Sequence, residues 1–150
     1  MTELELRLNK VNYEELYSIH KECDKDFEPP LSARKNIEAY CRKLVDNAEI
    51  ISVCFDGKTA GVLCVYENDS TSRTAFVSSV IVLPEYRRLG LGNLLVDRAI
   101  TISEKRKMAR IRLEVGKRNR AALNLYRKYG FEIENENELS YMMARECNGK

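Results

Sequence analysis

Apolar and polar residues alternate from Glu3 to Leu8, the period-two pattern of a strand with one buried face. The spacing changes at Tyr13, and the segment to Lys21 reads as a helix with Asn12 as a cap. After an acidic, proline-ended loop (Asp24 to Pro30), Ser32 is the expected cap of a second helix running to about Asp46. Ile37, Tyr40, Cys41, Leu44 and Val45 form its apolar stripe. Two apolar runs, Glu49 to Phe55 and Thr59 to Glu67, flank Asp56-Gly57, a strong hairpin signal. Asn68 to Arg73 is a polar turn into a strand ending at Leu83, whose apolar run is broken by Ser78 and Ser79. A helix from Gly92 to about Lys107 turns Leu95, Ala99 and Ile102 inward. Ile111 to Val115 reads as a strand, and a helix starts at Asn119 and stops at Gly130. Phe131 to Glu134 and Leu139 to Arg145 complete the pattern as two strands.

The chain of 150 residues shows no internal repeat, low-complexity tract or linker, so residues 1–150 are expected to form one domain. Charged residues make up 32 % but balance to +2, which argues against a nucleic-acid partner. No apolar run approaches a membrane span, and the N-terminus lacks the apolar core of a signal peptide. The five cysteines contain no C-x-x-C pair and fit a reducing cytoplasm. With His20 the only histidine, neither a zinc site nor a Ser-His-Asp triad is expected, and no metal is implied. His20 itself is expected at the surface or an interface, a role as base being the lesser alternative.

The most informative stretch is Val82-Leu83-Pro84-Glu85-Tyr86-Arg87-Arg88-Leu89-Gly90-Leu91-Gly92-Asn93. A strand that runs through a glycine-bearing loop into a helix points several backbone N–H groups at one place. The helix dipole favours negative charge there by about 0.3–1 kcal/mol. A Walker loop is excluded because no Gly-Lys-Ser/Thr follows. A dinucleotide fingerprint would use Gly90 and Gly92, with Glu114 as its ribose acid, but its third glycine position holds Leu95. Arginines beside loop amides suit the pyrophosphate of coenzyme A better.

A second motif follows: Asn119-Arg120-Ala121-Ala122-Leu123-Asn124-Leu125-Tyr126-Arg127-Lys128-Tyr129-Gly130-Phe131. With it the sequence resembles the GNAT N-acetyltransferase superfamily, whose members carry V-x-P-x-x-R/Q-x-x-G-x-G/A and then N-x-x-A-x-x-L-Y-x-K-x-G-F. The motifs span residues 76 to 131. The resemblance implies an α/β (α+β) fold with a mixed, mostly antiparallel sheet of six to seven strands. That sheet is splayed between its fourth and fifth strands, with about four helices on both faces. It also implies acetyl-CoA as cosubstrate: the backbones of Val80 and Val82 along the pantetheine arm, and the amides of Arg88, Leu89, Gly90, Leu91, Gly92 and Asn93 on the pyrophosphate. Arg87 and Arg88 would support the phosphates, and Asn119 and Asn124 would hold the pantetheine side. Arg88 stands where many members have glycine.

The activity so implied is acetyl transfer to a primary amine by direct attack in a ternary complex, with Tyr126 as general acid to the CoA thiolate. A base is not readable. Ser78 and Ser79 order at most a water chain; Glu28, Glu67 and Asp69 are candidates; Glu114 is expected to be structural. The acceptor, a small molecule or a peptide, is left open, although Glu22, Asp24, Asp26 and Glu28 hint at a cationic amine. A catalytically silent acyl-CoA-binding sensor or partner module is the rival reading. Dimers are frequent among similar proteins, so a homodimer is compatible with the resemblance.

Overall fold

A computed structural model of the chain describes residues 3–27 and 29–147. Seven strands form a single sheet: β1 (Leu4–Leu8), β2 (Glu49–Phe55), β3 (Lys58–Tyr66), β4 (Thr74–Val82), β5 (Arg110–Gly116), β6 (Glu132–Glu136) and β7 (Ser140–Glu146). The helices are α1 (Tyr13–Glu22), α2 (Ile37–Asn47), α3 (Leu91–Lys105) and α4 (Arg120–Lys128). The spatial order is β1-β2-β3-β4-β5-β7-β6, and every neighbouring pair is antiparallel except β4 and β5. These two pair in parallel only from Thr74 opposite Arg110 to Val77 opposite Leu113. Beyond Val77 the strands part, which is the splayed mixed sheet that the resemblance implies.

β2 and β3 are apolar on both faces because helices cover both sides. Ile51, Val53, Leu63 and Val65 pack with Leu95, Val96, Ala99 and Phe131 under α3 and α4. Ile50, Val62 and Cys64 pack with Leu16, Ile19, Cys41 and Leu44 under α1 and α2. The β2–β3 turn has Asp56 at φ 52 and Gly57 at φ 82, the left-handed pair that a tight hairpin demands.

Two local expectations are overturned. The second helix begins at Ile37, capped by Asn36, whose Oδ1 accepts from Ala39 N at 2.9 Å. Ser32 lies instead in a short 3₁₀ turn, Leu31–Ala33, where its amide and hydroxyl donate to Asp24 at 2.8 and 2.5 Å. His20 is completely buried rather than at a surface.

β4 carries the feature that shapes the rest of the molecule. Ser79 pairs with Cys64 of β3 but Val77 pairs with Val65, so Ser78 is an extra residue, a β-bulge. Ala75 and Val77 face α3 and α4, whereas Ile81 faces α1 and α2. The bulge swaps the strand's faces at this point. It also turns both serines toward α1 and α2, where Ser78 meets Tyr40 and Ser79 meets His20.

Candidate active site

The gap between β4 and β5 opens into a cleft of about 680 Å³. Val80, Val82, Arg87, Gly92, Asn119 and Tyr126 line it, so most elements of the two sequence motifs converge on one space. Arg88, Leu89 and Gly90 are exposed in the loop leading to α3. Leu91 buries its side chain in the core, leaving only its backbone for a ligand. Asn93 accepts from Lys128 Nζ at 3.0 Å, which ties α3 to α4. Asn124 is exposed and lies outside the cleft wall.

The start of α3 differs from the other helix starts in a way its sequence explains. α1, α2 and α4 are each capped by an asparagine (Asn12, Asn36 and Asn119) whose Oδ1 accepts a backbone N–H of the first turn. α3 begins at Gly90, at φ 76, without a side-chain cap. Its first amides therefore face outward with no acceptor from their own helix start, as an anion site requires. Arg88 reaches φ 66, which explains why glycine suits that position. A Cβ on Gly92 would lie 3.2 Å from Leu125 Cδ2, so α3 and α4 are in close contact where the cradle opens.

Arg87 is drawn toward the opposite wall. Its Nε donates to the Val82 carbonyl at 2.9 Å, and its Nη2 lies 2.7 Å from Asp26 Oδ2. In the acidic loop Asp24 accepts from the Ser32 amide and hydroxyl, which favours its charged form, and Asp26 pairs with Arg87. Arg34 and Lys35 line the cleft together with Asp26, so both signs of charge face the space.

Tyr126 is buried at 6 % exposure, with its ring 5.9 Å from Phe131. Among the described residues its hydroxyl has no hydrogen-bond partner, and burial alone pushes its pKa up to about 12. Phenol and cleft therefore meet without a competing acceptor. Across the cleft, the Tyr40 hydroxyl donates to the Ser78 carbonyl at 3.0 Å and sits 2.6 Å from Ser78 Oγ. A bulged, splayed strand leaves main-chain groups without a ladder partner, and Tyr40 satisfies this one.

The base candidates separate clearly. Glu67 is buried away from the cleft, accepting from Ser103 Oγ at 2.8 Å, and burial raises its pKa. Asp69 is held by the amide and hydroxyl of Ser72. Glu28 lies outside the described residues. Glu114 lines the cleft and accepts from Ser140 Oγ. The pair that sequence reasoning missed is His20 with Ser79, whose Nε2 and Oγ are 3.0 Å apart. A signal was present: Leu16, Ile19, His20 and Cys23 follow the i, i+3, i+4, i+7 rule of a buried helix face.

A splayed sheet, an uncapped glycine helix start and a buried tyrosine meet on one cleft. The chain belongs to the acetyltransferase (GNAT) family, whose sequence model matches residues 13–131. It is similar to the [ribosomal protein bS18]-alanine N-acetyltransferase of Escherichia coli strain K12, 42 % identical over 57 residues, 38 % of each protein. The chain spans 29–59 % of the length of the first curated relatives it matches. The crystal structure of the Escherichia coli ribosomal-protein-S18-alanine N-acetyltransferase superposes with a TM-score of 0.74. It is 23 % identical, covering 97 % of this chain and 94 % of that one. PaiA N-acetyltransferase from Thermoplasma acidophilum, solved in complex with coenzyme A, has a TM-score of 0.71 at 18 % identity, covering 96 % and 99 %. These likenesses establish the fold. Among the described residues no helix is long and apolar enough to cross a membrane, and no group of three or more His, Cys, Asp or Glu is placed to hold a metal.

Proposed function

We propose that the protein transfers an acetyl group from acetyl-CoA to a primary amine in a ternary complex, Tyr126 donating its proton to the departing thiolate. The observation that carries this reading is the convergence of the uncapped α3 start, the splayed β4 edge and Tyr126 on one cleft. The cosubstrate supplies an activated thioester when bound. Amides from Arg88 to Asn93 suit its diphosphate, and the β4 edge at Val80 and Val82 suits its amide-bearing arm, with the Val80 N–H beside the developing oxyanion. Arg87 is the strap between cradle and loop, and Asn119 fixes the α4 start that carries Tyr126.

A buried phenol near 12 is a poor acid against a thiol near 8.5 in water. Burial of the sulfur beside Tyr126 raises the thiol in the same direction, which narrows the gap in proton affinity that general-acid help must cross.

The relative named for acetylating an alanine of a ribosomal protein supports a protein α-amine as acceptor class. The test is a screen that follows free thiol release from acetyl-CoA over peptide α-amines, lysine side chains, polyamines and amino sugars. Release with a peptide α-amine supports this reading. Tight acetyl-CoA binding with no release for any amine supports the silent sensor instead.

A further inference from the structure

We infer that Ser79 and His20 take the proton that the attacking amine must lose, the Ser79 hydroxyl accepting it while passing its own to His20 Nε2. The inference rests on the acetyl-transfer reading above and adds the proton acceptor which that reading lacks.

His20 Nδ1 lies 2.9 Å from the Leu16 carbonyl, and Nε2 lies 3.0 Å from Ser79 Oγ. A carbonyl only accepts, so Nδ1 carries the hydrogen. Burial lowers the imidazole pKa, so the ring is neutral at neutral pH and Nε2 presents a lone pair. The Ser79 hydroxyl must then donate to Nε2, and its oxygen lone pairs face the Tyr40 hydroxyl, the Cys64 thiol and the cleft, where they can accept a proton.

A buried histidine is often only a packing residue, but the surroundings of this one point at the cleft. Ser79 lines it and directly precedes Val80, whose amide stands beside the reacting carbonyl in the acetyl-transfer reading. The ring stacks on Phe27 (6.3 Å between centroids, 13° between planes) and meets the Tyr40 edge (5.6 Å, 69°). Both aromatics line the same cleft.

The titratable groups packed around the pair are Tyr40 and Cys41 from α2, Cys64 from β3 and Cys23 just after α1. Burial holds Tyr40 at about 12, Cys41 at about 11 and Cys64 at about 12, and raises Cys23, so all four are uncharged at neutral pH. An imidazolium formed here has no anion beside it. Its support is the Leu16 carbonyl and the face of Phe27. It therefore returns its proton through Ser79 to the cleft rather than storing it.

The step balances. The amine nitrogen bonds to the acetyl carbon and loses one proton to Ser79 Oγ, the Ser79 proton moves to Nε2, and the carbon–sulfur bond breaks. The sulfur takes the Tyr126 proton. Exchange with water afterwards restores neutral His20 and protonated Tyr126, so one proton has passed in net from amine to thiol.

Because His20 is the only histidine, its imidazole nitrogens are read by NMR in the intact, ¹⁵N-labelled protein without assignment. The expected spectrum at neutral pH has a protonated Nδ1 and a bare Nε2; the opposite tautomer overturns the proposal. His20→Gln and Ser79→Ala are each expected to lower kcat on the order of 10²-fold with KM for acetyl-CoA unchanged. On the acid side, log kcat/KM against pH is expected to reach a limiting slope of two in wild type, from the amine and His20. The slope is expected to fall to one in His20→Gln. A kcat within threefold of wild type, or a retained slope of two, overturns the relay and moves the role to Glu114 on the opposite wall. If His20→Gln does not fold, Ser79→Ala and the tautomer decide. A wild type that releases no thiol with any amine refutes acetyl transfer itself and the relay with it. An active wild type with unaffected variants refutes the relay alone.

Discussion

Tyr126→Phe removes one oxygen from a buried ring and so separates proton donation from packing. The hydroxyl has no protein partner among the described residues, and the ring keeps its contact with Phe131. Losing it is expected to change unfolding free energy by less than about 0.5 kcal/mol. The catalytic cost is of another size. Against a thiol at its ordinary value of about 8.5, a phenol near 12 donates uphill by about 5 kcal/mol. Enclosure of the sulfur beside Tyr126 lifts the thiol in the same direction and narrows that gap. Without the phenol, the sulfur must leave unprotonated. The expected loss in kcat is on the order of 10²–10⁴-fold, or about 3–5 kcal/mol of barrier. The assay is thiol release at saturating acetyl-CoA and amine, with calorimetric binding of acetyl-CoA and thermal unfolding measured alongside. A kcat within threefold of wild type refutes the argument, as does a loss accounted for entirely by weaker binding.

Other outcomes follow from the same geometry. Arg88→Gly relieves a left-handed backbone at φ 66, and an increase in unfolding free energy of about 1 kcal/mol is expected in denaturant melts. Gly92→Val places its Cβ 3.2 Å from Leu125 Cδ2 at the mouth of the cradle, and calorimetry is expected to show acetyl-CoA affinity reduced at least tenfold. His20 has a lowered folded pKa, so the stability it contributes is fully present above its unfolded value of about 6.5 and is lost as pH falls below that toward the folded value. The stability gap between wild type and His20→Gln should therefore narrow from pH 7 to pH 5. A gap that stays flat would mean the ring is not held neutral by burial.

Some of the site could be read locally and some could not. The Asp56-Gly57 hairpin, the Gly130 stop and the glycines before α3 are local signals, because a left-handed backbone or a close approach restricts residue type at that very position. The cap of α2 was misread because Ser32 and Asn36 are both good cap residues. Ser32 is held in a short 3₁₀ turn by Asp24, eight residues earlier, and the helix starts only after Asn36. His20 was misplaced because its chemistry suggested exposure, although its spacing with Leu16, Ile19 and Cys23 marked the buried stripe. Asn124 keeps the motif spacing yet faces outward, since a helix turns successive motif residues through different directions.

By itself the sequence determined the order and kind of the elements, the uncapped glycine start of α3 and the tyrosine on α4, because periodicity and backbone preference act within a few residues. Only the tertiary structure decided which groups meet. Ser78 is an extra residue in β4 solely with respect to β3, and this bulge turns Ser78 toward Tyr40 and Ser79 toward His20. Strand register and partner choice arise from packing between segments far apart along the chain, and a period-two pattern names a face but not what lies opposite it.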